Sequence, residues 1–157
     1  MANAISIDLV GITRIQRKLT LLQNSIFSRA LMTEIGLFAM TRIKSRTVEG
    51  KDVDGTPFKP YSPKYAMFRQ EHGHPTNKVN LTFSGSMLSS MTFNPDADKV
   101  TLYFLNTYGF GAGNKSHTSN PKKAFFLNEE RRFFALSGED VEDIVDIVER
   151  YYRRLIA

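Results

Sequence analysis

The sequence predicts an α+β fold in which N-terminal helices and a C-terminal helix pack on a small antiparallel sheet. Three observations carry this expectation. Residues 25–46 and 137–155 show apolar side chains three and four apart, the period of a helix with one buried face. Residues 91–105 alternate around Asn94-Pro95-Asp96, the pattern of a hairpin. Neither strands alternating with crossover helices nor an internal repeat is visible, so a parallel, doubly wound sheet is not expected.

In chain order, Ile5, Ile7 and Leu9 alternate with Ser6 and Asp8 and predict a short strand before Gly11. Ile12, Ile15, Leu19 and Leu22 predict a first helix, with Arg14, Arg17 and Lys18 on its other side. Asn24 and Ser25 are candidate caps of a second helix, which carries Ile26, Phe27, Ala30, Leu31, Ile35, Phe38, Ala39 and Ile43 to about Arg46. Gly50, Gly55, Pro57, Pro60 and Pro63 then exclude a helix until Ser62-Pro63, a cap followed by a first-turn proline. That helix is expected to end near Glu71. Ser84-Gly85 opens a short turn carrying Met87, Leu88 and Met91. In the hairpin, Val100, Leu102 and Phe104 face one way and Thr101, Tyr103 and Leu105 the other.

Residues 106–123 read as one long, polar, glycine-rich loop, able to act as an arm that orders on contact. Ala124–Leu127 and Phe133–Leu136 are short apolar pieces on either side of a charged turn at 128–132. Ser137 caps the last helix, whose apolar stripe is Val141, Ile144, Val145, Val148, Tyr152 and Leu155. Its acidic start and the arginines 150, 153 and 154 near its end complement the helix dipole. Residues 1–157 are read as a single domain.

Composition narrows the chemistry. The 157 residues are 41% apolar and 24% charged, ordinary for a globular chain, with 12 Phe, 6 Tyr and no Trp. There is no cysteine, which excludes disulfides, thiol nucleophiles and cysteine-ligated metals. Met1–Val10 lacks the basic-then-apolar order of a signal peptide, and no apolar run reaches the ~20 residues of a membrane span. These features predict a soluble, intracellular chain. The net charge of +5 is uneven: residues 1–90 hold 12 basic and 6 acidic side chains, residues 91–157 hold 9 and 10. That permits contact with DNA or an acidic partner without the dense basic patch of a sequence-specific reader.

No catalytic motif survives inspection. Gly109-Phe-Gly-Ala-Gly-Asn114-Lys115-Ser116 has Asn114 where a phosphate-binding loop needs its second glycine, and no helix is expected after it. Asp52-Val-Asp54-Gly55 has its glycine at position four and Pro63 at position twelve, so it is no calcium loop. His72, His74 and His117 make a weak zinc set without a carboxylate partner. No nucleophile elbow is present. Catalytic residues, cofactors and metals are therefore assigned as none.

The distinctive feature is an ordered series: Arg46-Thr-Val-Glu-Gly50, Asp52-Val-Asp-Gly55, Pro57-Phe-Lys-Pro-Tyr-Ser-Pro63, Leu81-Thr-Phe-Ser-Gly85-Ser-Met-Leu88 and Pro121–Leu127 before the Ser137-Gly-Glu-Asp140 helix. This order resembles the phage virion morphogenesis family, the tail completion and head–tail joining proteins of Mu-like and related tailed phages. The likeness runs from the long helix to the end. Lys122-Lys123-Ala124 stands where the family has arginine-proline, and residues 128–136 add charged and aromatic residues before the last helix. The resemblance implies a non-enzymatic virion protein at the neck, a homo-oligomeric, hexameric ring. Its implied neighbours are connector and tail-terminator or tail-tube proteins, with double-stranded DNA passing through the lumen unread. A tail-terminator or tail-tube component is the alternative within this class. A basic DNA-binding protein using Arg14, Arg17, Lys18, Arg42, Lys44 and Arg46 is the alternative outside it. Phe58, Tyr61, Tyr65, Tyr108, Phe110, Lys115, Lys122 and Lys123 are the candidate subunit contacts. For Phe58, Tyr61 and Tyr65 the prolines stiffen the backbone and the rings offer contact at low entropic cost; closure over the chain's own core is the competing reading.

Overall fold

The computed structural model describes residues 6–8, 27–110 and 115–156. The fold is α+β. Three strands, β1 (Ser6–Asp8), β2 (Met91–Pro95) and β3 (Val100–Phe104), form an antiparallel sheet in the order β1-β3-β2. Leu102 stands at its centre, opposite Ile7 on one side and Phe93 on the other. Val100, Leu102 and Phe104 are buried and Thr101 and Tyr103 half-buried, as the alternation predicts.

The long helix α1 (Arg29–Val48) lies across this sheet. Leu31, Ile35, Ala39 and Ile43, four apart, are fully or nearly fully buried beneath it. Its cap is Ser28, whose Oγ accepts the Leu31 N–H; Asn24 and Ser25, the caps expected from sequence, lie outside the described residues, as does the expected helix over residues 12–22. Gly36 allows the closest approach. A Cβ there would overlap the Phe93 ring, so the helix rests directly on that aromatic.

The C-terminal helix α5 (Gly138–Ile156) packs along α1. The two run antiparallel, since Asp140 at the start of α5 meets Arg46 late in α1, while Arg154 meets Glu34 at 3.0 Å. Ile144, Ile147 and Val148 join the same core. Ser137 is its cap: the Ser137 hydroxyl accepts the Asp140 N–H at 3.1 Å, and the Asp140 carboxylate accepts the Ser137 N–H at 2.8 Å. This reciprocal box secures two donors that a helix start leaves unpaired.

Two expectations are corrected. Residues 106–123 are not one loop: β4 (Tyr108–Phe110) pairs antiparallel with β5 (Lys115–Ser119), and helix α4 (Asn120–Glu130) begins directly afterwards. Residues 111–114 lie outside the described residues. Pro121 sits in the first turn of α4, where proline suits a helix, so the residue read as loop punctuation is a helix start. Asn120, 1% exposed, anchors that start by donating from Nδ2 to the Ser86 carbonyl, the Ser86 hydroxyl and the Thr107 hydroxyl. Consequently Ala124–Leu127 is helical, and the expected charged turn at 128–132 is the end of α4 plus its exit. Phe133 and Phe134 then turn inward against Phe104. Among the described residues no helix is long and apolar enough to cross a membrane.

Candidate functional site

Between α1 and β2 the chain makes an excursion, residues 49–90, that builds a cleft of about 490 Å³. It begins at Gly50, whose φ of +83° reverses the chain and whose carbonyl accepts the Phe58 N–H at 2.8 Å. The next turn is held by Asp52, whose carboxylate oxygen Oδ1 accepts the N–H groups of Asp54 and Thr56 at 2.9 and 2.8 Å. The acidic stretch is thus a self-capped turn.

Helix α2 (Pro63–Glu71) follows, capped by Ser62 with Pro63 in its first turn, as the sequence predicts. Tyr65, Phe68 and His72 fall three and four apart and share one face. Their rings, with Tyr61 and Phe83, form a continuous aromatic cluster: Tyr61 meets Tyr65 edge-on at 5.2 Å, Tyr65 stacks on Phe68 at 6.0 Å, and Phe68 stacks on Phe83 at 5.6 Å. His72 and His74 lie against Phe68 and Phe83 at 4.3 and 4.2 Å. Of the three histidines weighed as metal ligands, His72 and His74 belong to this ring stack, and the side chain of His117 lies outside the described residues. Among the described residues no group of three His, Asp or Glu side chains could hold a metal ion.

Leu81 enters the cleft wall with φ of +51°, the left-handed region that disfavours a branched side chain. Gly85, at φ +76°, starts the one-turn helix α3 (Ser86–Ser89). From α4, Lys123 and Leu127 reach the same cleft one helical turn apart. Arg131 ties the wall to the frame by donating from Nε to the Lys59 carbonyl and from Nη1 to Glu130.

Arg69 is the central side chain. It is 1% exposed, yet among the described residues it forms no ion pair. Its Nε donates to the Pro75 carbonyl and Nη1 to the Thr82 carbonyl, while Nη2 is buried without a hydrogen-bond partner. The guanidinium lies 4.6 Å from the Tyr61 ring centre and 5.9 Å from those of Tyr65 and Phe83. Ring faces offset part of the cost of burying that charge. Burial also pushes the Lys123 ammonium below its ordinary pKa. Glu130, 65% exposed, supplies the acid at the rim.

Of the candidate contacts, Tyr61, Tyr65 and Lys123 meet in this cleft. Phe58 is 6% exposed and belongs to the core, so for it the competing reading holds. Tyr108 is exposed, and Lys122 is exposed beside the Phe126 ring; neither lines the cleft. The side chains of Phe110 and Lys115 lie outside the described residues. Sequence reasoning missed Phe68, Phe83 and Arg69. The 65–68–72 spacing could have flagged Phe68, whereas nothing in the spacing marks an arginine for burial.

A second cleft, about 380 Å³, lies over the junction of α1 and α5. Here Arg46 donates to Asp140 at 2.7 Å and to the Ala135 carbonyl, and Arg42 donates to Asp140 at 3.1 Å and to Asp143. Asp140 is 2% exposed. Burial would raise its pKa, but the backbone hydrogen bond from Ser137 and then Arg46 outweigh that and hold it below the usual carboxylate value. Lys44, proposed with these arginines as a DNA contact, is partly buried and donates to the Met91 carbonyl, and its pKa is lowered by burial. The basic cluster expected on α1 is therefore committed within the fold, and Arg14, Arg17 and Lys18 lie outside the described residues. In comparisons with known proteins, no family model, no curated protein and no solved structure matches this chain.

Proposed function

We propose that this chain is a non-enzymatic structural protein of a tailed-phage virion, set in a ring at the neck, where it completes the tail and joins it to the head. One observation carries the reading. Three of the ordered segments that resemble the virion morphogenesis family, Pro57–Pro63, Leu81–Leu88 and Pro121–Leu127, are far apart in the chain yet each contributes side chains to one cleft, whereas Arg46–Gly50 and Asp52–Gly55 do not line it. A pattern of that kind is expected when the residues serve a shared contact surface. Among the described residues the cleft offers rings and cations, of which Arg69 and Arg131 are buried, but no nucleophile–base pair, which suits docking of a neighbouring chain. A closed ring of six copies, heterologous in its contacts, is the proposed assembly. DNA would pass through its lumen without being read.

The pairing of Arg42 and Arg46 with acidic side chains of α5, and of Lys44 with the Met91 carbonyl, weighs against the free DNA-binding alternative. The test is to inactivate the gene in the phage or prophage that encodes it and to image the lysate. Filled heads separate from tails support the proposal, and a six-fold ring at the neck of the intact particle supports the stoichiometry. Normal infectious particles without the protein refute the virion role; twelve copies refute the hexamer.

A further inference from the structure

We propose that the aromatic cleft is a carboxylate socket, taking from a neighbouring virion protein an extended segment in which an acidic side chain lies beside an apolar one. This rests on the cleft being a docking surface, and it adds the chemistry of the occupant. Three cations line the cleft: Arg131 pairs with Glu130 at 3.0 Å, whereas among the described residues neither Arg69 nor Lys123 forms an ion pair within it. The Arg69 guanidinium is 1% exposed, held by two backbone carbonyls that carry no net charge, and Nη2 has no partner. A buried cation without a counter-ion creates a positive potential in a low-dielectric hollow, where attraction for a single negative group is strongest.

The same geometry selects the source of that group. The Arg69 guanidinium is buried against the rings of Tyr61, Tyr65 and Phe83, and Glu130 stands at the rim. A duplex backbone is a broad row of phosphates that cannot enter behind rings and that Glu130 repels. One carboxylate on an aliphatic stem, followed by an aromatic or aliphatic residue, fits both the potential and the ring faces. Tyr65 and Phe68, each more than a third exposed, supply the outer contact surface. Leu81, held at positive φ beside them, is a strained backbone position of the kind found at ligand clamps.

The experiment compares two peptides on the full chain by amide NMR: acetyl-Phe-Glu-amide and acetyl-Phe-Gln-amide, identical but for one charge. The expected result is saturable shifts at Leu81, Phe83 and Gly85 with the Glu peptide, in roughly the millimolar range for so small a ligand. The Gln peptide should bind several-fold more weakly. Arg69→Met removes the buried charge but risks the fold, so Lys123→Gln is the second variant; it should weaken the Glu peptide about two- to threefold and leave the Gln peptide unchanged. Equal responses to both peptides, or shifts confined to other residues, overturn the socket. Stronger shifts of the same amides by a 20-base-pair duplex, at equal salt, overturn it in favour of nucleic acid. Unjoined heads and tails in the inactivated phage, with no peptide response, refute the socket alone; a peptide response with normal particles refutes the virion role alone.

Discussion

Asp140→Asn removes one charge from the junction of α1 and α5 while conserving shape. Removing one partner of a buried ion pair costs about 3–5 kcal/mol in the general case. Three features reduce that here. The asparagine oxygen still accepts the Ser137 N–H, so part of the cap survives. Arg46 keeps the Ala135 carbonyl. Arg42 is 40% exposed and is rehydrated readily. The expected loss is therefore about 2–3 kcal/mol at pH 7, or roughly 4–12 °C in Tm for a chain of this size. The pH dependence gives a sharper check. The folded pKa of Asp140 is depressed, so its contribution is complete above the unfolded value, about 3.9, and is lost as pH falls through the folded value. Urea unfolding of both proteins at pH 7, 4 and 2.5 should show the gap between them narrowing as acid is added. A gap independent of pH, or one under about 0.5 kcal/mol at pH 7, refutes the assignment of Asp140 as the ionised centre of this junction.

Gly36→Ala should destabilise by about 1–2 kcal/mol despite alanine's better helix propensity, because the new methyl meets the Phe93 ring. Thermal melts check this, and adding Phe93→Leu should remove most of the penalty. Gly50→Ala combines a φ of +83° with a Cβ 2.8 Å from the Val79 carbonyl oxygen, and should cost about 2–3 kcal/mol in urea unfolding. Asn120→Ala strands the partners of three hydrogen bonds and should cost about 1–3 kcal/mol, whereas the exposed Lys122→Ala should stay within about 0.5 kcal/mol by the same measurement.

The frame of the molecule was legible because it depends on periodicity. The four-residue spacing from Leu31 to Ile43, the alternation from Val100 to Phe104 and the caps Ser62 and Ser137 are local signals with local causes. The segment after β3 was misread because its evidence is ambiguous in one dimension. Glycines, serines and a proline serve a loop, a polar hairpin or a helix start alike, and the choice is made by Asn120 reaching back to Ser86, thirty-four positions earlier. The cleft was half legible for a related reason. Tyr61, Tyr65 and Lys123 advertise themselves by type, but Arg69 is defined by rings and carbonyls that the fold brings to it, and long cationic side chains are expected at the surface.

Two points within the excursion meet, since the Tyr61 hydroxyl accepts the Asn80 N–H at 3.4 Å, and Arg69 ties the loop between them to Pro75 and to Thr82 just beyond it. Residues 61–80 therefore form a cassette, entered and left at nearly one point of the frame. Such an arrangement separates two kinds of evolutionary constraint. The helix and sheet beneath must keep their packing, as must Arg69 and Val79 within the cassette, whereas its exposed positions can change at lower cost to stability because its closure is local. On the proposed docking role, a lineage facing a changed neighbour can then alter much of the contact surface by exchanging about twenty contiguous residues in one recombination event, instead of by coordinated changes across the core.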